Sequence, residues 1–238
     1  MSVLLLRLGG PLQSWGDSSR FTRRETRPEP TKSGVLGLIA AAQGRRRTDP
    51  IEDLVGLVFG VRVDQPGRLI RDFQTARSGD KPMPLSYRYY LGDAVFVAGV
   101  EGEHNLLEGI AEAINSPAFP LYLGRRSCPP VNRLTIGAVR DGDLDAVMRH
   151  EGWHASPWHR RRARSQQVQL DYFRDARSAD EVGEPVRDVP VSFSQERREY
   201  GWRTVIHALP ITVENTDYRE SSEGEPPPHD VMAAVGGL

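Results

Sequence analysis

The hydrophobic pattern opens with an uninterrupted apolar run, Val3 to Leu8, of the kind a strand buried on both faces requires. Gly9-Gly10-Pro11 breaks it. A second apolar block, Pro30 to Ala42, predicts a helix of small residues that can lie close against a sheet. Thr31 or Ser33 caps its start through a hydroxyl, and Gly44 stops it. Asp49 to Leu57 predicts a second, short helix. Leu57 to Val63 reads as a strand, with Leu69 to Thr75 as its partner across the turn Asp64-Gln65-Pro66-Gly67. Arg77 to Pro84 is a break, after which Leu85 to Val100 resumes strand character. His104 to Ile114 carries Leu107, Ile110, Ala111 and Ile114 at helical spacing. Leu121 to Leu123 reads as a short strand. Beyond Arg140 the pattern weakens, with late strands over Val186 to Phe193 and Arg203 to Leu209 and a tail from Thr216.

Strand, helix, strand, strand, inserted hairpin, helix and strand is a split βαβ order. The expected fold is therefore α+β: a ferredoxin-like (RRM-like) βαββαβ domain over residues 1–140 with an inserted β-hairpin near 77–97. A smaller, mostly β region follows over 141–215, and a flexible tail over 216–238.

Length changes this picture little: 238 residues suit one large domain or two small ones. The net charge of −1 means that any nucleic-acid site must come from local clustering. The basic residues are unusual, because Lys32 and Lys81 are the two lysines, which leaves 31 − 2 = 29 arginines. Arginine favours bidentate phosphate contacts and stacking on bases, and a genome rich in G and C would give the same bias. One cysteine, Cys128, excludes an intrachain disulfide and a multi-thiolate zinc site. The apolar runs are too short for a membrane span and no signal peptide is evident, so a cytoplasmic protein is expected.

Candidate chemistry gathers in a few places. The mouth of the first helix offers free N–H groups, hydroxyls and Lys32, a combination suited to a phosphate, although the Walker spacing is absent. The preceding loop holds Gln13, Ser14 and Trp15, then Arg20, Arg23, Arg24 and Arg27. There the indole either stacks on a base or packs under the loop. Tyr87-Arg88-Tyr89-Tyr90 suits stacking on unpaired bases or cross-strand packing. Arg125 and Arg126, in a turn that continues through Ser127, are placed either to grip a nucleic-acid backbone or to be solvated.

Two other motifs carry less. Asp141-Gly142-Asp143-Leu144-Asp145 starts like a calcium loop, but Ala146 and Gly152 occupy the positions that need glycine and glutamate. His150-Glu151-Gly152-Trp153-His154 matches the zinc-protease pattern, yet Gly152 and Pro157 disfavour the helix that the pattern needs. No metal or cofactor is expected. Arg160 to Arg164 is a basic run, usually a solvated face.

Three stretches together resemble a known family: Leu6 to Gly16, Pro30 to Leu38 and Tyr122 to Pro129. Leu69 to Thr75 and Arg88 to Phe96 support them. The resemblance is to the CasD-type subunits of the type I-E Cascade complex, an RNA-guided antiviral machine. It covers roughly Val3 to Pro130, with a later segment from Ser194 to Val205. It implies a repeat-associated RNA-binding fold with a thumb-like hairpin. Such a subunit holds the 5′ handle of the guide RNA, caps the backbone filament, contacts the large subunit, and meets target DNA only indirectly. On this chain the expected RNA-binding set is Gln13, Ser14, Trp15, Arg20, Arg23, Arg24, Lys32, Ser33, Arg77, Tyr87, Arg88, Arg125, Arg126 and Ser127. In type I-E systems this subunit is not a nuclease. In related systems the equivalent subunit cuts repeat RNA without a metal, using Tyr, Lys and His, and the scarcity of lysine here argues against that alternative.

Overall fold

The computed structural model describes residues 1–16, 23–194 and 198–219. In chain order the first elements are β1 (Ser2–Gly9), β2 (Leu12–Gln13), β3 (Arg23–Arg24), α1 (Lys32–Ala42), α2 (Glu52–Val55) and β4 (Val58–Gln65). An excursion follows, made of β5 (Arg68–Gln74), β6 (Arg77–Ser78), β7 (Lys81–Pro82) and β8 (Ser86–Gly92). The chain then returns through β9 (Val95–Gly102), α3 (His104–Asn115), β10 (Arg140–Asp141), α4 (Leu144–His150) and α5 (Pro157–Arg162). It ends with β11 (Gln167–Asp175), β12 (Glu184–Ser192) and β13 (Glu199–Glu214). The result is a mixed α/β structure with mostly antiparallel sheets.

The apolar run of β1 is central, as expected. Leu4, Leu6 and Leu8 point into one core with α1 and α3, and Val3 and Leu5 point into a second core with α4. Alternation on a strand buried on both faces produces that split. The main sheet has seven strands in the order β10-β1-β9-β4-β11-β13-β12. The region after residue 141 is therefore not a separate unit: β11 pairs with β4, and the second core mixes Val3, Leu5 and Val97 with Leu144, Leu170 and Ile211. The expected boundary near 140 is corrected accordingly. Of the expected tail, residues 220–238 lie outside the described residues.

The expected pairing of the strands on either side of Asp64 to Gly67 is also corrected. β4 is flanked by β9 and β11, whereas β5 pairs with β8, from Arg68↔Gly92 to Gln74↔Ser86. Both edges of β4 are already satisfied, so the chain leaves the sheet at Gly67 and forms a projecting hairpin. That hairpin spans 68–92 rather than 77–97, with β6 and β7 at its tip. Val95 to Val97 instead begin the fully buried β9. The expected strand at Leu121 to Leu123 is a loop, held by Ser14 N donating to the Leu123 carbonyl and Leu123 N donating to the Cys128 carbonyl. β11 had no counterpart in the expected elements.

Helix α1 has the predicted extent and caps: the Thr31 hydroxyl accepts from Gly34 N, and Gly44 follows with φ +77°. Its mouth is closed by the protein itself. Asp188 Oδ2 accepts from Lys32 N at 2.8 Å, and Lys32 Nζ donates to Asp175 Oδ2 at 2.9 Å. Arg203 joins the two acids, reaching Asp175 at 2.6 Å and Asp188 at 2.6 and 2.9 Å. Asp175 also accepts from Phe59 N. Two cations and two carboxylates from α1, β11, β12 and β13 thus neutralise one another out of water. The expectation of an anion-binding mouth with Lys32 on it is overturned, since a carboxylate of the same chain already fills it.

Removing one member of such a network strands the others. Asp188→Ala leaves Lys32 N without its acceptor and Arg203 half-paired, and should cost about 3–5 kcal/mol of stability. Urea titration of the variant against the parent chain measures this, and a cost below about 1 kcal/mol would contradict the role given to Asp188.

Candidate nucleic-acid interface

The loop from Gly10 to Trp15, the mouth of α1 and the turn at 122–130 meet, as the sequence implied, but most of their polar groups face inward. Gln13 is fully buried: its amide nitrogen donates to the Leu8 and Ala94 carbonyls, and its oxygen accepts from Trp15 Nε1. Trp15 has 0 % exposure and lies under Gly34, where an added Cβ would press on the indole. Neither residue can reach a base, so the expectation of stacking on Trp15 is corrected. The loop has to be lined with its own hydrogen-bond partners because it passes beneath a helix. Ser14 spends its hydroxyl on the Tyr89 carbonyl.

The arginine pair divides. Arg125 turns inward, donating to the carbonyls of Tyr89, Arg24 and Glu25, with its guanidinium 4.8 Å from the Tyr90 ring centroid. Arg126 is exposed. Gly124 between the loops has φ +83°, and a Cβ there would collide with the Ser14 carbonyl, so only glycine fits. Ser127 is exposed beside the buried Cys128, whose thiol is pushed up by burial.

The remaining expected residues sit around the hairpin. Arg23 pairs with Glu25 at 2.8 Å and lies over Tyr89. Arg24 is exposed on β3, which runs parallel to β8 opposite Arg88. Arg88 is half-buried. Its Nε is enclosed without a hydrogen-bond partner among the described residues. Tyr87 is exposed under Arg71, and Arg77 is exposed at the hairpin tip. Leu69, Phe73 and Met83 also stand exposed on this hairpin. Arg20 lies outside the described residues.

What the loops do enclose is a groove of about 800 Å³ along α1. Ser14, Ser33, Gly34 and Gly37 form its floor, with Arg126 on its rim. Arg45, Arg46, Arg47 and Arg198 complete a lining in which none of the described residues is acidic. Phe119, Tyr122, Phe193 and Tyr200 supply rings. Arginines with aromatic faces in a channel are what a single-stranded polynucleotide needs. Of the expected set, this groove brings together Ser14, Ser33 and Arg126, with Trp15 buried beneath its lining. It adds Arg45-Arg46-Arg47, a run plainly visible in the sequence directly after the helix stop, whose signal was three adjacent cations at a helix end.

The zinc-protease match does not form a site. Helix α4 ends at His150, and Glu151 is already extended, so the two histidines do not share a helical face. His154 Nε2 is 2.6 Å from Glu151, and Arg140 holds the other carboxylate oxygen. Burial works against ionisation of Glu151, but the hydrogen bonds from His154 and Arg140 outweigh it and keep the carboxyl below its ordinary range. No metal-binding cluster of His, Cys, Asp and Glu occurs among the described residues.

The chain is 33% identical over 164 residues to "CRISPR system Cascade subunit CasD" of Escherichia coli (strain K12), covering 60% of this chain and 73% of that protein. A solved structure described as "CRISPR RNA-guided surveillance complex" superposes with a TM-score of 0.74 at 31% identity, over 93% of this chain and 95% of the other. Another, described as "Crystal structure of Cas protein", gives 0.67 at 35% identity over 92% and 98%. The family model "CRISPR-associated protein (Cas_Cas5)" matches residues 3–206, and the chain belongs to that family.

Proposed function

We propose that this chain is the subunit of a CRISPR RNA-guided surveillance complex that holds the 5′ handle of the guide RNA and caps one end of the backbone, beside the large subunit. The observation that carries this reading is the arginine-lined groove, without an acid among its described residues, on a chain of this family. Contacts to phosphate fix position, and a few unpaired bases add specificity. The projecting hairpin, basic at Arg68, Arg71, Arg77 and Lys81, suits the role of the family's thumb.

We also infer a ferredoxin-like core. The neighbours β10-β1-β9-β4 follow the order of a βαββαβ sheet. The two connecting helices, α1 and α3, share one face of it through residues such as Leu36 and Leu107. β11, β13 and β12 extend that core.

The subunit binds RNA without cutting it. Lys32 is held by Asp175, and Lys81 lies at the hairpin tip. His104 is engaged with Ser2 and beside Glu108. A Tyr-Lys-His set is therefore not assembled among the described residues. Among those residues, no helix is long and apolar enough to cross a membrane.

Two substitutions at adjacent positions test the RNA contact. Arg126→Ala should weaken binding of a labelled handle RNA and make its log–log salt dependence shallower by about 0.7, the value for one phosphate contact on a single strand. Its melting temperature should match the parent. Arg125→Ala should instead lower the melting temperature, since three carbonyls lose their donor. Unchanged affinity and salt slope in Arg126→Ala would count against the site. Labelled repeat RNA incubated with the chain in chelator should stay intact, and a defined cut would replace this reading with that of a metal-independent endoribonuclease.

A further inference from the structure

We infer that the groove seats an unpaired stretch of RNA in one orientation, its phosphates on the Arg46–Arg47 turn and its bases against the flat face of α1. This rests on the RNA-binding reading above and goes further, assigning roles to residues outside the set expected from the sequence.

The turn is built to present those two side chains. Arg45 is committed to structure: its guanidinium forks onto both carboxylate oxygens of Asp53, and Nη1 also donates to the Pro50 carbonyl at 2.8 Å. Arg46 N donates to Asp49 Oδ2 at 2.7 Å, closing the turn. The side chains of Arg46 and Arg47 remain exposed beside the groove. Neighbouring cations on a closed turn, with Asp49 turned to the backbone and Asp53 to Arg45, make a phosphate track.

The floor is flat for a reason that sequence and packing share. Gly34, Gly37, Ala40 and Ala41 present nothing beyond a Cβ to the groove. Across from Gly37 stands Phe193, whose Cζ would lie 3.5 Å from a Cβ built there. On the other wall Phe119 is 45% exposed. Its loop is fixed to the end of α1 by Ala118 N donating to the Ala42 carbonyl at 2.9 Å. Phe193 is already within contact distance of Gly37, so a base lays its π-face on the bare helix surface on the Phe119 side. Paired bases hide their faces in the stack, so the groove selects an unpaired strand over a duplex.

The test uses the full chain with fluorescein-labelled single-stranded handle RNA, and with the same sequence annealed to its complement. The parent chain should prefer the single strand. The double variant Arg46→Ala with Arg47→Ala should bind it about tenfold more weakly, with a salt slope shallower by about 1.4, for two lost contacts. Ala41→Leu should also lose binding while its melting temperature holds, because the longer side chain extends from the half-buried Ala41 into the groove and leucine suits a helix. If both variants bind like the parent while Arg126→Ala does not, the seating is overturned and the handle reading survives. Equal affinity for the duplex overturns the seating as well. A parent chain that binds neither probe ends both readings.

Discussion

The fold is held in register by four charged side chains that meet where water is excluded. Lys32, Asp175, Arg203 and Asp188 come from the first helix and the last three strands, and they compensate one another completely. Burying any one of these charges alone would be prohibitive, so none of the four elements can take its place without the other three. The helix dipole is part of the same arrangement, because the carboxylate of Asp188 receives the first free N–H of α1. This ties the N-terminal strand–helix unit to strands laid down more than 130 residues later, and it fixes α1, the floor of the groove, relative to the seven-stranded sheet.

The excess of arginine over lysine acquires a structural meaning from where the guanidinium groups go. Arg62 is fully buried; it pairs with Asp64 and donates to the carbonyls of Met148, Glu151 and Gly152, closing the end of α4. Arg125 does the same for three carbonyls beside the hairpin, and Arg203 joins two acids. A planar fork with five donors can serve several acceptors at once, which an ammonium on a flexible stem does less well. Other arginines, such as Arg46 and Arg126, stay at the surface. The same residue type therefore builds the frame and furnishes the groove.

Much of this was legible in the sequence where a local pattern decided the outcome. The two-faced burial of β1 follows from an unbroken apolar run, and α1 and α3 follow from spacing and caps. What the sequence hid were decisions taken at long range. Lys32 looks available until its partners, 143 and 156 residues away, are known. Gln13 and Trp15 look like a recognition pair until they are seen bonding to each other beneath a helix. The pairing of β5 could not be read from its turn, because two other strands compete for β4. β11 did carry a signal: Val168, Leu170 and Tyr172 alternate with polar residues, and two of the three are buried. Of the site, Ser14, Ser33 and Arg126 are legible from their loops, whereas nothing local to Arg45–Arg47 says that the first pairs with Asp53 and the next two stay exposed beside the groove.

The two margins of the long sheet are blunt in different ways. β10 offers only two residues, and β12 carries Pro185 and Pro190, which have no N–H to give a neighbouring strand. Growth by sheet continuation is thus discouraged on both flanks, and with it end-to-end polymerisation of stray copies. A chain shaped in this way offers other molecules its projections and cavities rather than a sheet edge to extend.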